Sequence, residues 1–242
     1  MIADVAAQLL SLAEQSHDEA GYFAALYAAV TSNVAASLGR GVFDDDERME
    51  RFAGDFASWY LRPRTGGGPV PRCWRAAFDV EGDPRLLIVQ HLLLGVNAHV
   101  NHDLPQVVVA LAERDGDLAA VRGDFDTVND ILAATQAEVL RRLDRVSRWV
   151  NVATSVGGGR AFSFSLRRAR EQAWGAAERL WPLDRAGRAA YVAELDRLVA
   201  VVGLLVTRPA FPVSLAMPVL RAVEESDPRK VTRALLTPSP SA

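Results

Sequence analysis

The 242-residue chain is predicted to fold as an all-α, single-domain irregular bundle around one buried helix at about residues 84–102. Three observations predict it. Apolar residues recur at helical spacing nearly throughout, and no segment alternates as a half-buried strand does. The stretch Leu86–Val100 is apolar on almost every side, as a central element must be.

Residues about 3–16 and 18–38 read as two amphipathic helices, the second carrying Tyr22, Phe23, Leu26, Tyr27 and Val30 as its apolar stripe. Gly39–Val42 breaks the pattern. Asp44, Asp45 and Asp46 then open a third helix to about Leu61, where acidic groups both cap the first turn and suit the helix dipole. Arg64–Arg72, with three consecutive glycines and two prolines, is a loop; no lysine follows and no strand precedes, so it is no phosphate cradle. Pro84 suits the start of the central helix, and Pro105 begins another through about Arg114. A long helix covers about Phe125–Val150, the loop Val156–Arg160 follows, and two more helices run at about 163–180 and 184–206. Pro209, Pro212 and Pro218 break up the next region, and residues 237–242 form a frayed tail after a domain of residues 1–236.

Composition narrows the function. A net charge of -3 implies neither a nucleic-acid surface nor a polyanionic tail. Cys73 is the only cysteine, so no disulfide framework and no cysteine-rich metal site is expected. The N-terminus lacks the basic start and apolar run of a signal peptide, and Leu86–Val100 falls short of the ~20 residues that span a bilayer. A cytoplasmic protein without membrane or nucleic-acid partners follows as the expectation; the sequence is silent on oligomeric state. Only Lys230 among 27 basic residues is lysine. That is the codon bias of a GC-rich bacterial genome or, alternatively, the mark of an arginine-lined anion site.

The chemistry is concentrated on the central helix, which holds His91, His99 and His102 of the chain's four histidines. At about 100° per residue from His91, His102 falls near 20°, His99 near 80° and Asp103 near 120°. Gln90, Asn97 and Asn101 gather at roughly 240–280°, giving one ionisable and one amide stripe. His91 lies about 12 Å along the axis from His99, too far to share an ion with it. His99 with His102, or with Asp103, can converge on one metal. Further ligands would come from Asp44–Asp46, Glu50, Asp55, Asp124, Asp126 or Glu171.

Three roles are open to this cluster. It can hold one divalent ion (Zn, Fe or Mn) through His99, His102, Asp103 and Asp124; it can be metal-free acid–base machinery of His99 and Asp103; or it can be structural, each buried polar group satisfied by its neighbours. His91, Asn101, Asn129 and Arg170 are supporting candidates. The amide stripe reads as helix-to-helix register. Asp124 or Asp126 caps the long helix unless Asp124 joins the histidines. Arg170 and Trp174, four apart, share a face, where arginine stacked on indole reads as packing and a surface ion pair; an inward Arg170 can instead neutralise a buried carboxylate or hold an anionic substrate. Trp59, Trp74, Trp149 and Trp181 read as core, and His17 as an exposed boundary residue.

No His-Glu-x-x-His, Gly-x-Ser-x-Gly, P-loop or dinucleotide fingerprint occurs. The order His91, His102-Asp103, Asp124 or Asp126 is similar to that of the HD-type metal phosphohydrolases, with shorter intervals and different flanking residues.

The string Leu93–Pro105, with Tyr27 and Thr31, Phe43 through Tyr60, Trp74 and Phe78, Asp124 through Asn129, and Ala169 through Trp174, resembles a mainly actinobacterial, all-helical family of unknown function. Its members carry Asn-Ala-His-(Ile/Val)-Asn-(His/Tyr)-Asp-Leu-Pro. Tyrosine at the position of His102 implies that His99 and Asp103 are the central pair. The expected function is an enzyme acting on a small, largely apolar molecule in bacterial secondary metabolism, as a metal-dependent hydrolase or oxygenase or as a His/Asp acid–base catalyst. The competing expectation is a non-catalytic helical binding or scaffold protein whose polar stripes lock the core.

Overall fold

Apolar periodicity becomes helix along almost the whole chain. The computed structural model describes residues 2–153, 159–211 and 213–238. Among these it is all-helical and forms one domain; the only extended pairing is an isolated bridge between Ser147 and Glu224.

In chain order the helices are α1 (Ile2–Gln15), α2 (Ala20–Ser37), α3 (Asp46–Arg64), α4 (Arg72–Phe78), α5 (Ile88–Ala98), a π-helical turn (His99–Asp103) and α6 (Leu104–Asp115). A 3₁₀ turn (Ala119–Val121) leads into α7 (Arg122–Asp144), α8 (Arg148–Ala153), α9 (Gly159–Leu180), α10 (Arg185–Thr207), α11 (Val213–Ala222) and α12 (Pro228–Leu236).

Several boundaries correct the sequence reading. The central helix starts at Ile88 rather than near Pro84. Residues before it form turns, and its first N–H groups are met from elsewhere: Leu87 N donates to Gln90 Oε1 at 2.8 Å and Ile88 N to Glu224 Oε2 at 3.0 Å. A carboxylate at a helix N-terminus supplies both acceptor and favourable charge. The loop predicted over Arg64–Arg72 is confined to Thr65–Pro71, with Arg72 opening the short α4. The expected Phe125–Val150 helix begins earlier, at Arg122, and ends at Asp144. Two helices, α11 and α12, occupy the proline-marked region, with Pro218 tolerated inside α11. Most of the expected loop Val156–Arg160 lies outside the described residues, although Gly159 and Arg160 already belong to α9. The expected tail likewise lies outside them from residue 239 on.

Two apolar cores result. One gathers Tyr22, Phe23, Trp74, Leu92, Leu94 and Val231 from α2, α4, α5 and α12. The other gathers Phe52, Val107, Val108, Leu111, Phe125 and Trp174 from α3, α6, α7 and α9. Helix α5 belongs to the first and α6 to the second, so the π turn sits at the seam. Close packing there demands Gly95: a Cβ on it would lie 2.5 Å from Cγ of Phe23. Helices α10 and α11 leave Leu198, Val201, Leu205, Leu215 and Val219 exposed. No helix among the described residues is long and apolar enough to cross a membrane.

Candidate functional site

Pro105 explains the geometry of the central segment. Proline has no N–H for the carbonyl four residues back, and its ring crowds that carbonyl. A break is the usual outcome. Here the helix widens for one turn instead, with Leu104 N bonding His99 O five residues back. Such π turns recur at functional sites because they re-aim side chains without ending the helix.

Re-aimed in this way, His99, His102 and Asp103 meet. Asp103 is 0 % exposed, and its carboxylate accepts three N–H groups. Oδ2 takes Trp74 Nε1 at 2.9 Å and faces His99 Nδ1 at 3.0 Å, while Oδ1 faces His102 Nδ1 at 2.7 Å. A carboxylate offers only acceptors, so each Nδ1 is assigned the proton and each Nε2 is left as a bare lone pair. The two Nε2 atoms have different surroundings. That of His102 lies 3.5 Å from the Gln106 amide nitrogen, whereas that of His99 is buried with no hydrogen-bond partner.

His99 is walled by aromatic rings. Phe56 stacks on the imidazole at 3.7 Å between centroids, and Tyr27 stands edge-on at 4.5 Å. Burial pulls the His99 pKa below its ordinary value, against the opposing hydrogen bond and charge of Asp103. Burial, reinforced by Asp103, also keeps the Tyr27 phenol protonated.

The open side of His99 belongs to a cavity of about 250 Å³ between the two cores. Its wall is almost wholly apolar, including Phe52 and Phe56 of α3, Val96 of α5 and Leu132 of α7. Val89, Leu93 and Val96 are only half-buried because they face this space. Arg170, on α9, lines the same cavity and is 3 % exposed.

The other sequence candidates are distributed differently. Asp124 is buried but tied to α3: Oδ2 accepts from Arg48 Nη2 at 2.5 Å and Nε at 3.1 Å, and Oδ1 accepts from Asp44 N at 2.6 Å. It is therefore a clamp between α3 and α7, not a partner of the histidines. Asp45 caps α3 by accepting Arg48 N at 2.9 Å, as expected of the triple aspartate. Asp55 pairs with Arg114; Asp126 and Glu171 share Arg122. The only group of three potential metal ligands among the described residues is Cys73, His102 and Asp196, which includes neither His99 nor Asp124. Asp196 there also caps α4, accepting from Arg72 N and Cys73 N.

His91 packs edge-on against Tyr22 at 5.8 Å, away from the cavity lining. The amide stripe is register hardware: Gln90 Nε2 donates to Val206 O at 2.6 Å, Asn97 Nδ2 to Val199 O at 2.9 Å, and Asn101 Nδ2 to Asn97 Oδ1 at 3.0 Å. Arg170 does not stack on Trp174. It lies over Phe125 at 4.2 Å, and the cation over Trp174 is that of Arg122, at 4.8 Å. Asn129 joins Arg170 by accepting its Nε at 2.6 Å. His17 is exposed; of the four tryptophans assigned to the core, Trp74 is buried and the other three are half-buried.

Sequence reasoning missed the aromatic walls and the part played by Trp74. The indole N–H of Trp74 was legible only as a core side chain, although a buried indole always needs an acceptor. Among families of related sequences, "Family of unknown function (DUF5995)" matches residues 2–209, a span that contains the whole site. Comparison with curated proteins and with solved structures gives no match.

Proposed function

From the premise that the chain belongs to DUF5995, a family of unknown function, we propose that it is an enzyme that takes a small, largely apolar molecule into the cavity and uses His99 as its acid–base group. One observation carries this reading: His99 lines an apolar cavity with its Nε2 buried and unpartnered, while Nδ1 is held by Asp103. A buried nitrogen lone pair without a donor is costly unless a ligand completes it.

The chemistry follows from the tautomer. With Nδ1–H fixed on the carboxylate, Nε2 accepts a proton from an acidic position of the bound molecule. The imidazolium so formed is stabilised by Asp103, and Nε2 returns the proton at the end of the cycle. Burial keeps His99 unprotonated near neutral pH, the form a base requires. Trp74 and His102 hold the carboxylate and so act as positioning residues. A metal version is less well supported, because no group of three potential ligands among the described residues includes His99, and both Asp103 oxygens already accept N–H groups.

The test incubates the protein with an organic-solvent extract of bacterial metabolites and follows the extract by mass spectrometry. A compound consumed by wild type and untouched by His99→Gln supports the reading. Compounds that bind both proteins equally, with nothing converted by either, would replace it with the non-catalytic binding protein. Stoichiometric transition metal in purified protein, lost in His99→Ala, would restore the metal version.

A further inference from the structure

The cavity wall is electrostatically lopsided. Among the described residues it contains one arginine and one histidine, and no aspartate or glutamate lines it. Arg170 has no carboxylate within ion-pair distance among the described residues. Its Nε donates to Asn129 Oδ1 at 2.6 Å and its Nη2 to Phe125 O at 2.7 Å, so it is held by neutral acceptors only. No acceptor among the described residues takes Nη1. Phe125 covers one face of the guanidinium.

A cation nine-tenths buried without a counter-ion is an expensive arrangement, and proteins ordinarily pair such charges. Burial lowers the Arg170 pKa to about 10, outweighing the opposing charges of Asp126 and Glu171, neither of which touches it. At neutral pH the guanidinium stays charged. Every nearby acid is committed to another cation: Asp126 and Glu171 hold Arg122 on the outer side of the same helices.

We propose that Arg170 is the anchor for a single negative charge on the ligand, so that the cavity takes an amphipathic monocarboxylate, its carboxylate on Arg170 and its apolar body along Phe52, Phe56 and Val96. This rests on the reading that the cavity receives a small, largely apolar molecule, and it adds the substrate class. One buried cation matches one negative charge; a phosphate dianion would leave charge uncompensated in an apolar wall. The Arg fork suits the two oxygens of a carboxylate. Asn129 and Phe125 O fix the fork, which lowers the ordering cost of binding.

The probes are decanoate and decan-1-ol, which share an apolar chain and differ in charge, titrated calorimetrically at pH 7.5. Wild type is expected to bind decanoate at least about tenfold more tightly than the alcohol, the value of one charge-assisted contact. Arg170→Gln should bring the two to equal affinity, and Arg170→Lys should keep a reduced preference for the acid. Val96→Trp, which fills the cavity without touching Arg170, should abolish both. Equal binding of acid and alcohol by wild type overturns the carboxylate inference and leaves the cavity reading standing. An acid preference that survives Arg170→Gln overturns the role of Arg170. Absence of binding by either probe, or binding unaltered in Val96→Trp, overturns both readings. If Arg170→Gln fails to fold, the wild-type acid-to-alcohol ratio and Arg170→Lys still decide.

Discussion

Asparagine at position 103 keeps the shape of the aspartate and removes its charge and one acceptor. In the native protein, Oδ2 serves Trp74 Nε1 and His99 Nδ1, and Oδ1 serves His102 Nδ1. An amide oxygen placed at Oδ2 retains the first two bonds. Each changes from charge-assisted to neutral, a loss of roughly 1 kcal/mol apiece. The amide nitrogen then meets His102 Nδ1–H as a second donor. His102 must move its proton to Nε2, which lies 3.5 Å from the donor nitrogen of Gln106. That rearrangement adds roughly another 1 kcal/mol, so Asp103→Asn should destabilise by about 2–4 kcal/mol. Alanine strands all three N–H groups at about 1–3 kcal/mol each, roughly 3–9 kcal/mol in all, which rivals the whole stability of a typical domain. Urea denaturation followed by circular dichroism measures both losses, and nitrogen NMR reads the His102 tautomer. Asp103→Asn within about 0.5 kcal/mol of wild type, against the cost of a lost charged acceptor, would refute the three-donor account. So would a His102 proton that stays on Nδ1.

Burial holds His99 and His91 below their ordinary pKa, so the unfolded chain binds their protons at a higher pH than the folded one. Stability should therefore fall as pH drops below about 6.5, each histidine contributing a limiting slope of about 1.4 kcal/mol per pH unit. His99→Gln should show a shallower fall between pH 6.5 and 5; denaturation curves with unchanged slope would sink the assignment. Gly95→Ala drives a methyl into the Phe23 ring and should cost about 1–3 kcal/mol, seen as a lowered melting temperature. Asp124→Ala removes the close, hydrogen-bonded partner of Arg48 and leaves only Asp115 at 3.7 Å, which should cost about 2–4 kcal/mol in urea. Because Asp124 is a clamp, decanoate binding by the folded variant should match wild type, and a loss of binding would return Asp124 to the site.

The candidate site was partly legible because helical rise and twist act locally. His99 and Asp103, four residues apart on an apolar segment, had to be neighbours, and an interior imidazole had to seek a partner. The amide stripe could be read for the same reason: Gln90 and Asn97 share a face and indeed reach α10 carbonyls. What escaped was every pairing that depends on which helix crosses which. Arg122, not Arg170, lies over Trp174, and Arg48 takes Asp124, because α3, α7 and α9 meet at angles no spacing rule contains. The π turn was missed for a subtler reason. Pro105 reads equally as a helix start and as an interior obstacle, and only the surrounding packing made widening cheaper than breaking.

By itself the sequence determined that this chain is helical, that His91, His99, His102 and Asp103 sit on its most apolar segment, and that His99 and Asp103 are neighbours one turn apart. These are consequences of periodicity, apolar burial and a fixed rise per residue. The tertiary structure alone decided that Trp74 and His102 share that carboxylate, and that His99 and Arg170 face one cavity although they stand on different helices. Contacts between distant segments arise from the fit of whole helix faces against one another, a balance summed over dozens of small contacts that no single stretch of sequence encodes.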